Sequence, residues 1–199
     1  MKKLFTLLGI ALLALLAYLA FWPVSVAPVA WEAPPDQGYT GDFAVNDRLT
    51  ALKIVELEGR SGPEDADIGP DGLVHVATHD GEILRIEENG AITVFAQTEG
   101  RPLGIEFDDS GTLYVADAYR GLLSVDRGGQ VTLLAETTTD GSPILYADDV
   151  DIAADGSVYF SDASTRFGAQ DNGGTLAASV LDLVELSLIH ISEPTRPID

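Results

Sequence analysis

The chain has 199 residues, with 32 acidic against 11 basic side chains and a net charge of -21. That surplus repels phosphate and argues against a nucleic-acid partner; it suits a secreted-type surface or one that gathers cations. There is no cysteine, so disulfides and thiolate metal sites are excluded and the redox compartment is left open.

Residues 1–3 form a short basic N-terminus, and nineteen uncharged residues follow, Leu4 to Trp22. That length suits a helix that spans a bilayer. Tyr18 and Trp22 sit near its far end, as interface aromatics do. Lys2 and Lys3 precede it and belong on the cytoplasmic side, which puts the remainder on the extracytoplasmic, periplasmic or lumenal side. A cleaved signal peptide is the rival reading, but its apolar core usually runs ~7–15 residues. The best small-residue cleavage site, Ser25-Val26-Ala27, is followed by Pro28, which hinders cleavage. The expectation is one N-terminal transmembrane helix over 4–22, a single-pass membrane anchor. Residues 23–41 carry Pro23, Pro28, Pro34 and Pro35 and read as a stiff linker. Leu49–Leu57 is strand-like, and its expected role is to complete the last blade of a ring.

The most informative stretch is Arg101–Glu136. Apolar runs at 103–107, 112–116, 122–125 and 131–135 alternate with glycine-bearing turns, and no window shows helical period. A lone sheet of this size cannot bury its apolar faces. Copies of it are present: Gly72–Ala77 matches Gly111–Ala116, and Asn89–Ala96 matches Gly128–Ala135, both at offsets of 39. A third copy starts at Asp155-Gly156, with an offset of 45 from Gly111 to Gly156. Units of ~40–50 residues with about four strands each are the sign of a β-propeller. The fold class expected is all-β: a six-bladed β-propeller with about three blades present, occupying 42–186. A third blade without a neighbour leaves an unpaired edge and an uncovered apolar face, so the fragment is expected to be unstable alone. The aspartates of Asp71-Gly72, Asp80-Gly81 and Asp155-Gly156 read as turn formers.

Gln170–Gly174 is polar and loose, and Leu176–Leu186 is helix-compatible, with Leu176, Val180, Leu183 and Val184 near one face. Residues 187–199 fit neither a blade nor that helix; SLIHISEPTRP resembles translated sequencing-adapter read-through.

Propellers bind ligands at the mouth of the central channel, at the starts of the innermost strands. Three starts can be placed: Gly62–Asp65, Arg101–Gly104 and Ala147–Asp149. Two bring acidic pairs, Glu64 with Asp65 and Asp148 with Asp149. Carboxylates converging on one axis repel unless a cation lies between them, and hard oxygen ligands suit calcium or magnesium. Taken alone, each pair is explained more simply as an exposed acidic turn. His75 aligns with Tyr114 and Tyr159 and reads as a packing position; His79, before a turn, reads as exposed. Arg101 suits either an anionic substrate group or, more simply, a neighbouring acid.

GPEDADIGPDG, GRPLGIEFDDSGTLYVADAYRGLLSVD, YADDVDIAADGSVYFSDASTRF and the ASVLDL run resemble the strictosidine synthase-like branch of the gluconolactonase, senescence-marker and paraoxonase superfamily. The resemblance is strongest to its membrane-anchored members of the adipocyte plasma-membrane-associated type, and it runs from about Pro28 to Glu185. It implies a six-bladed propeller and a calcium ion on the channel axis, with Glu64 and Asp148 as ligands, Asp148 standing where the usual ligand is Asn. Where members hold a second calcium, Asp65 and Asp149 match its acidic ligands. It also implies an arylesterase-like hydrolase of small-molecule esters or lactones outside the cytoplasmic membrane. Leu103 stands where paraoxonases carry a catalytic histidine, so a histidine-based mechanism is not implied and the catalytic residues stay unassigned. The later ligands would lie on further blades, and the fragment by itself is expected to be inactive. The alternatives are a non-catalytic, membrane-tethered binding propeller and a synthase forming carbon–carbon bonds, whose glutamate would also lie further on.

Overall fold

The computed structural model describes residues 2–21, 35 and 38–186. Most of the expected linker over 23–41, and the tail over 187–199, lie outside the described residues. Helix α1 runs Lys2–Phe21. Its side chains are described continuously from Thr6 to Leu19. Among the described residues no helix is long and apolar enough to cross a membrane. The expected helix is therefore found, while its span across a bilayer is not supported.

Ala33–Asp182 forms a compact unit of its own. Its first sheet is β1 (Ala66–Ile68), β2 (Val74–Ala77), β3 (Glu82–Ile86) and β4 (Ile92–Gln97), paired antiparallel in that order. Its second is β5 (Pro102–Phe107), β6 (Leu113–Asp117), β7 (Gly121–Val125) and β8 (Val131–Ala135), paired the same way. A third begins with β9 (Ala147–Ile152) and β10 (Val158–Asp162), an antiparallel pair. Each strand lies within a residue or two of its place in the repeat.

The turns follow from residue chemistry. Asp108 Oδ1 accepts the Thr112 N–H at 2.8 Å while Gly111 N–H donates to Asp108 O at 2.9 Å. Gly111 has φ +83°, which glycine adopts without strain. Asp71 and Asp155 likewise accept the N–H two residues on, from Leu73 and Ser157. These two aspartates are turn formers, as expected.

Leu49–Leu57 is a correction. It contains a turn and no strand, with Leu49, Leu52 and Ile54 exposed. An extended segment needs a ladder partner for its main-chain groups, and among the described residues it has none.

The sheets pack face to face, like blades. Ala77, Ile83 and Ala96 of the first meet Ile105, Leu113, Val115, Leu123 and Val125 of the second. Ala116 and Leu122 of the second meet Ala147 and Val150 of the third. His75 is buried between the first two, its ring edge-on to Phe95 and Phe107 at 4.9 Å each. It is the packing residue its alignment with Tyr114 implied. His79 is exposed, again as expected.

The innermost strands of the first two blades are joined by carboxylates. Asp65 Oδ1 accepts the N–H of Ala66 at 2.8 Å, and its Oδ2 accepts the N–H of Ile105 at 2.9 Å. Asp67 repeats this with Ile68 at 2.7 Å and Phe107 at 2.8 Å. Both links advance 40 residues, so β1 and β5 run parallel where they meet.

Helix α2 (Thr175–Leu186) forms where a helix was expected. Ala178 and Leu181 pack against Leu103, Ala118, Tyr146 and Phe167, while Leu176, Val180, Leu183 and Val184 are exposed. Close approach to the bulky rings of Tyr146 and Phe167 selects the face with the small residue.

Leu123, fully buried between two blades, tests the packing: Leu123→Ala should cost ~2–5 kcal/mol in urea unfolding. Burial lowers the His75 pKa from its ordinary 6.5. Below that ordinary value the unfolded chain binds the proton more readily, so stability is lost as pH falls. His75→Phe should flatten the stability profile between about pH 7 and 5, read by denaturation at each pH.

Candidate functional site

The three expected strand starts converge. Glu64, Asp65, Leu103, Gly104, Asp148 and Asp149 line one hollow of ≈ 280 Å³. Residues 64 and 65 enter it just ahead of β1, held by Glu64 N–H to Ala77 O and Ala77 N–H to Asp65 O. Leu103 and Gly104 come from β5, and Asp148 and Asp149 from β9. Gly104 is required by proximity: a Cβ there would lie 2.7 Å from Asp149 Cα and 2.8 Å from Val150 N.

Two of the three starts are fixed by an aspartate at the end of the blade's second strand. Asp117 Oδ1 accepts N–H from Arg101 at 2.9 Å and from Tyr119 at 3.0 Å. Asp162 accepts N–H from Tyr146 at 2.7 Å and from Leu145 at 3.3 Å. The two are 45 residues apart, the same offset as the glycine turns, and that offset is the signal that marks them. Gly100 passes against the Asp117 carboxylate with no room for a Cβ.

The acidic residues divide by what they touch. Asp65 accepts a main-chain N–H at each oxygen, which fixes its place between the two blades. Asp149 Oδ1 accepts its neighbour's N–H, from Val150, at 2.9 Å. Glu64 and Asp148 remain. Desolvation pushes the Asp148 carboxyl up, and the negative charges of Glu64 and Asp149 push it further. That mutual repulsion suits a cation in the hollow, and two carboxylates are donors of the right hard type. Among the described residues, however, no group of three or more His, Asp or Glu side chains is placed to hold a metal. The donor set matches calcium in kind and falls short of it in number.

Arg101 lies beneath the hollow rather than in its lining. It is 3% exposed, with Nη1 donating to Pro102 O at 3.0 Å and Nη2 3.5 Å from Glu64 Oε2. The neighbouring acid expected as one partner of Arg101 is Glu64. Among the described residues Arg101 Nε has no hydrogen-bond partner, and Glu64 is the acid paired with this buried cation.

Tyr146 was not anticipated. It is buried beside Asp148, its hydroxyl donating to Thr175 O at 3.2 Å and sharing a hydrogen bond with Ser179 Oγ at 2.9 Å. Burial pushes its phenol up, with Asp148 and Glu64 adding to the effect, so it stays protonated. It ties α2 to the start of β9; Ser164 Oγ adds a second tie, to Asp182 Oδ1 at 2.9 Å.

With this geometry in place, the comparisons are specific. Residues 41–86 match the family model described as strictosidine synthase-like, N-terminal. The chain belongs to the strictosidine synthase-like family. An adipocyte plasma membrane-associated protein of Gallus gallus is 32% identical over 166 residues, covering 75% of this chain and 39% of its own length. Strictosidine synthase-like protein 4 of Arabidopsis thaliana is 35% identical over 130 residues, covering 62% of this chain and 35% of its own. The chain thus spans about two fifths of the length of such relatives. A gluconolactonase structure from Xanthomonas campestris superposes with TM-score 0.50 at 21% identity, over 56% of this chain and 37% of that one. That likeness bears on the fold alone, which is mostly β, antiparallel and propeller-like.

The repulsion at Asp148 has a measurable consequence. A carboxyl raised in the folded state binds its proton more tightly there, so stability falls as pH rises from the ordinary aspartate value through the raised one. Glu64→Gln should lower the Asp148 pKa toward 3.8, followed by carboxyl NMR titration. The same substitution should shrink the loss of stability across that window; an unmoved titration would mean that the two groups do not interact.

Proposed function

We propose that the full-length protein is a hydrolase of small-molecule esters or lactones, arylesterase-like, built on a six-bladed propeller with its hollow on the channel axis. The single observation that carries this reading is that Glu64 and Asp148 line one hollow and repel each other there. Calcium bound at these carboxylates would polarise an ester carbonyl and offset the charge developing on its oxygen. Around it the chain's own residues have plain tasks. Arg101 holds Glu64 in orientation, Asp117 and Asp162 fix the strand ends that carry the site, and α2, tied by Tyr146, keeps one side of the β9 start from water. Further oxygen donors come, in this reading, from blades beyond those described. Leu103 cannot move a proton, so no histidine-type base is assigned at that position.

The uncharged run over 4–22 supports a membrane anchor with the propeller on the extracytoplasmic side, and the adipocyte plasma membrane-associated relatives accord with it. No nucleic-acid partner is proposed for so acidic a chain.

A second reading has one observation in its favour. Arg101 already compensates Glu64, and the described donors fall short of a metal cluster, as in a tethered propeller that binds without turnover. Phenyl acetate hydrolysis by the full-length protein separates the two. The hydrolase reading expects activity that chelator abolishes and that Glu64→Gln lowers by ~100-fold or more. It also expects calcium at saturating levels to raise the melting temperature by several degrees, following ~2–3 kcal/mol of binding linkage. Absence of turnover together with an unmoved melt would favour the binding protein.

A further inference from the structure

A second cavity, of ≈ 310 Å³, lies at the other end of β5 from the hollow, between the first two blades. The hollow meets β5 at Leu103 and Gly104; this cavity meets it at Phe107. Every residue that lines it belongs to those two blades, each a complete four-stranded sheet, so no further blade is needed to build it. Its size is at the small end for ligand sites and suits a single substituted ring.

One wall is aromatic. His75, Phe95 and Phe107 line it, and the two phenyl rings are only half-buried. The other wall is basic. Arg85 and Arg127 line it against one acid, Asp71, a positive balance in a chain of net charge -21. Arg85 is already answered, by Glu87 at 2.8 Å and Asp71 at 3.9 Å. Arg127 is not: its Nε and Nη2 donate to Ser110 O, and among the described residues no carboxylate pairs with it. Gly111 gives that guanidinium its place, since a Cβ there would lie 2.7 Å from Arg127 Nε. His75 supplies a second unused group. It is 2% exposed, and its Nδ1 meets Leu73 O at 3.1 Å. A carbonyl only accepts, so Nδ1 carries the proton and Nε2 keeps a lone pair. Among the described residues no donor meets Nε2. The buried side-chain atoms sealed in without a partner are Arg101 Nε and Asp117 Oδ2, so Nε2 keeps access to open space, and the cavity is the space that its ring lines.

We propose that this cavity binds a hydroxyaryl carboxylate, a single aromatic ring bearing one carboxylate and one hydroxyl. Arg127 takes the carboxylate, the ring lies against Phe95 and Phe107, and the hydroxyl donates to His75 Nε2. Each part of the ligand answers one feature: the unpaired guanidinium calls for an anion, the phenyl rings for a flat apolar body, and the lone pair for a donor. A bare inorganic anion fits less well, because it brings nothing to cover the two phenyl rings. The acidic surface around the site repels anions at a distance, so capture rests on contacts made inside the cavity. The proposal uses none of the residues of the hollow and does not rest on the hydrolase reading.

The probes are 3- and 4-hydroxybenzoate, titrated against the full-length protein by ligand-observed NMR with chelator present, so that no cation in the hollow can hold them. Saturable binding of at least one isomer is expected, at about 1 mM or tighter. Two changes to the ligand leave the protein untouched, so misfolding of a variant cannot mimic them. Benzoate, which lacks the hydroxyl, should bind about fivefold more weakly. The matching hydroxybenzyl alcohol, which lacks the charge, should bind about tenfold more weakly or worse. Arg127→Gln should weaken the hydroxybenzoate by about tenfold and leave the hydroxybenzyl alcohol unchanged. His75→Phe, which keeps a ring between Phe95 and Phe107, should erase the preference for hydroxybenzoate over benzoate. Lys53→Gln, which removes an exposed charge outside the cavity, should change none of these. Absence of saturable binding, equal binding of benzoate, or undiminished binding by Arg127→Gln would overturn the assignment.

Discussion

A carboxylate that accepts two main-chain N–H groups, one from its own strand and one from the neighbouring blade, is the contact on which this structure depends. Blades in such a fold do not share a hydrogen-bonded ladder, so the inner strands, where side chains are crowded and channel-facing, need another way to satisfy their N–H groups. Asp65 and Asp67 supply it and set the register between β1 and β5 at a constant step. Apolar packing between the sheets, with Leu123 and Ile83 fully buried, then fixes the separation. Charge-assisted bonds set position and burial supplies most of the stabilisation, which is the usual division between directional and non-directional forces.

The same contact explains why a chain so acidic concentrates acids around the hollow. Asp65, Asp117 and Asp162 accept N–H groups and hold strand ends. Once these are set aside, Glu64 and Asp148 are the pair in the hollow whose charges are least answered, and Arg101 answers one of them from below. The acids outnumber that one cation, so the hollow keeps a net negative charge. The raised Asp148 carboxyl and the protonated Tyr146 beside it have the same origin, loss of water around groups placed for other reasons.

Much of the fold was legible in the chain. The glycine offsets of 39 and 45 placed three blades, because glycine turns and alternating apolar runs are local and periodic. The grouping of Glu64 with Asp148 was legible once those starts were aligned, since equivalent positions in a ring must face one axis. Leu49–Leu57 was misread because strand formation depends on a partner, which no local pattern encodes. The buried face of α2 was not legible, because packing against Tyr146 and Phe167 favours the small Ala178 over the large apolar residues of the other face. The links that Asp65 makes to Ala66 and Ile105 were not legible, because an acidic pair carries no mark of which member meets a main-chain N–H.

By itself, then, the sequence determined the repeating architecture, the turn chemistry and the kind of residue at the channel mouth. These follow from backbone preferences and from a period that any reader can count. Only the tertiary structure decided which carboxylates bind the chain and which stay open to a ligand, that Arg101 lies under the hollow, and that Tyr146 ties a helix beside it. The physical reason is that each of these depends on distances between residues 16 to 84 positions apart, and hydrogen bonding and charge act over a few ångströms of space without regard to separation along the chain.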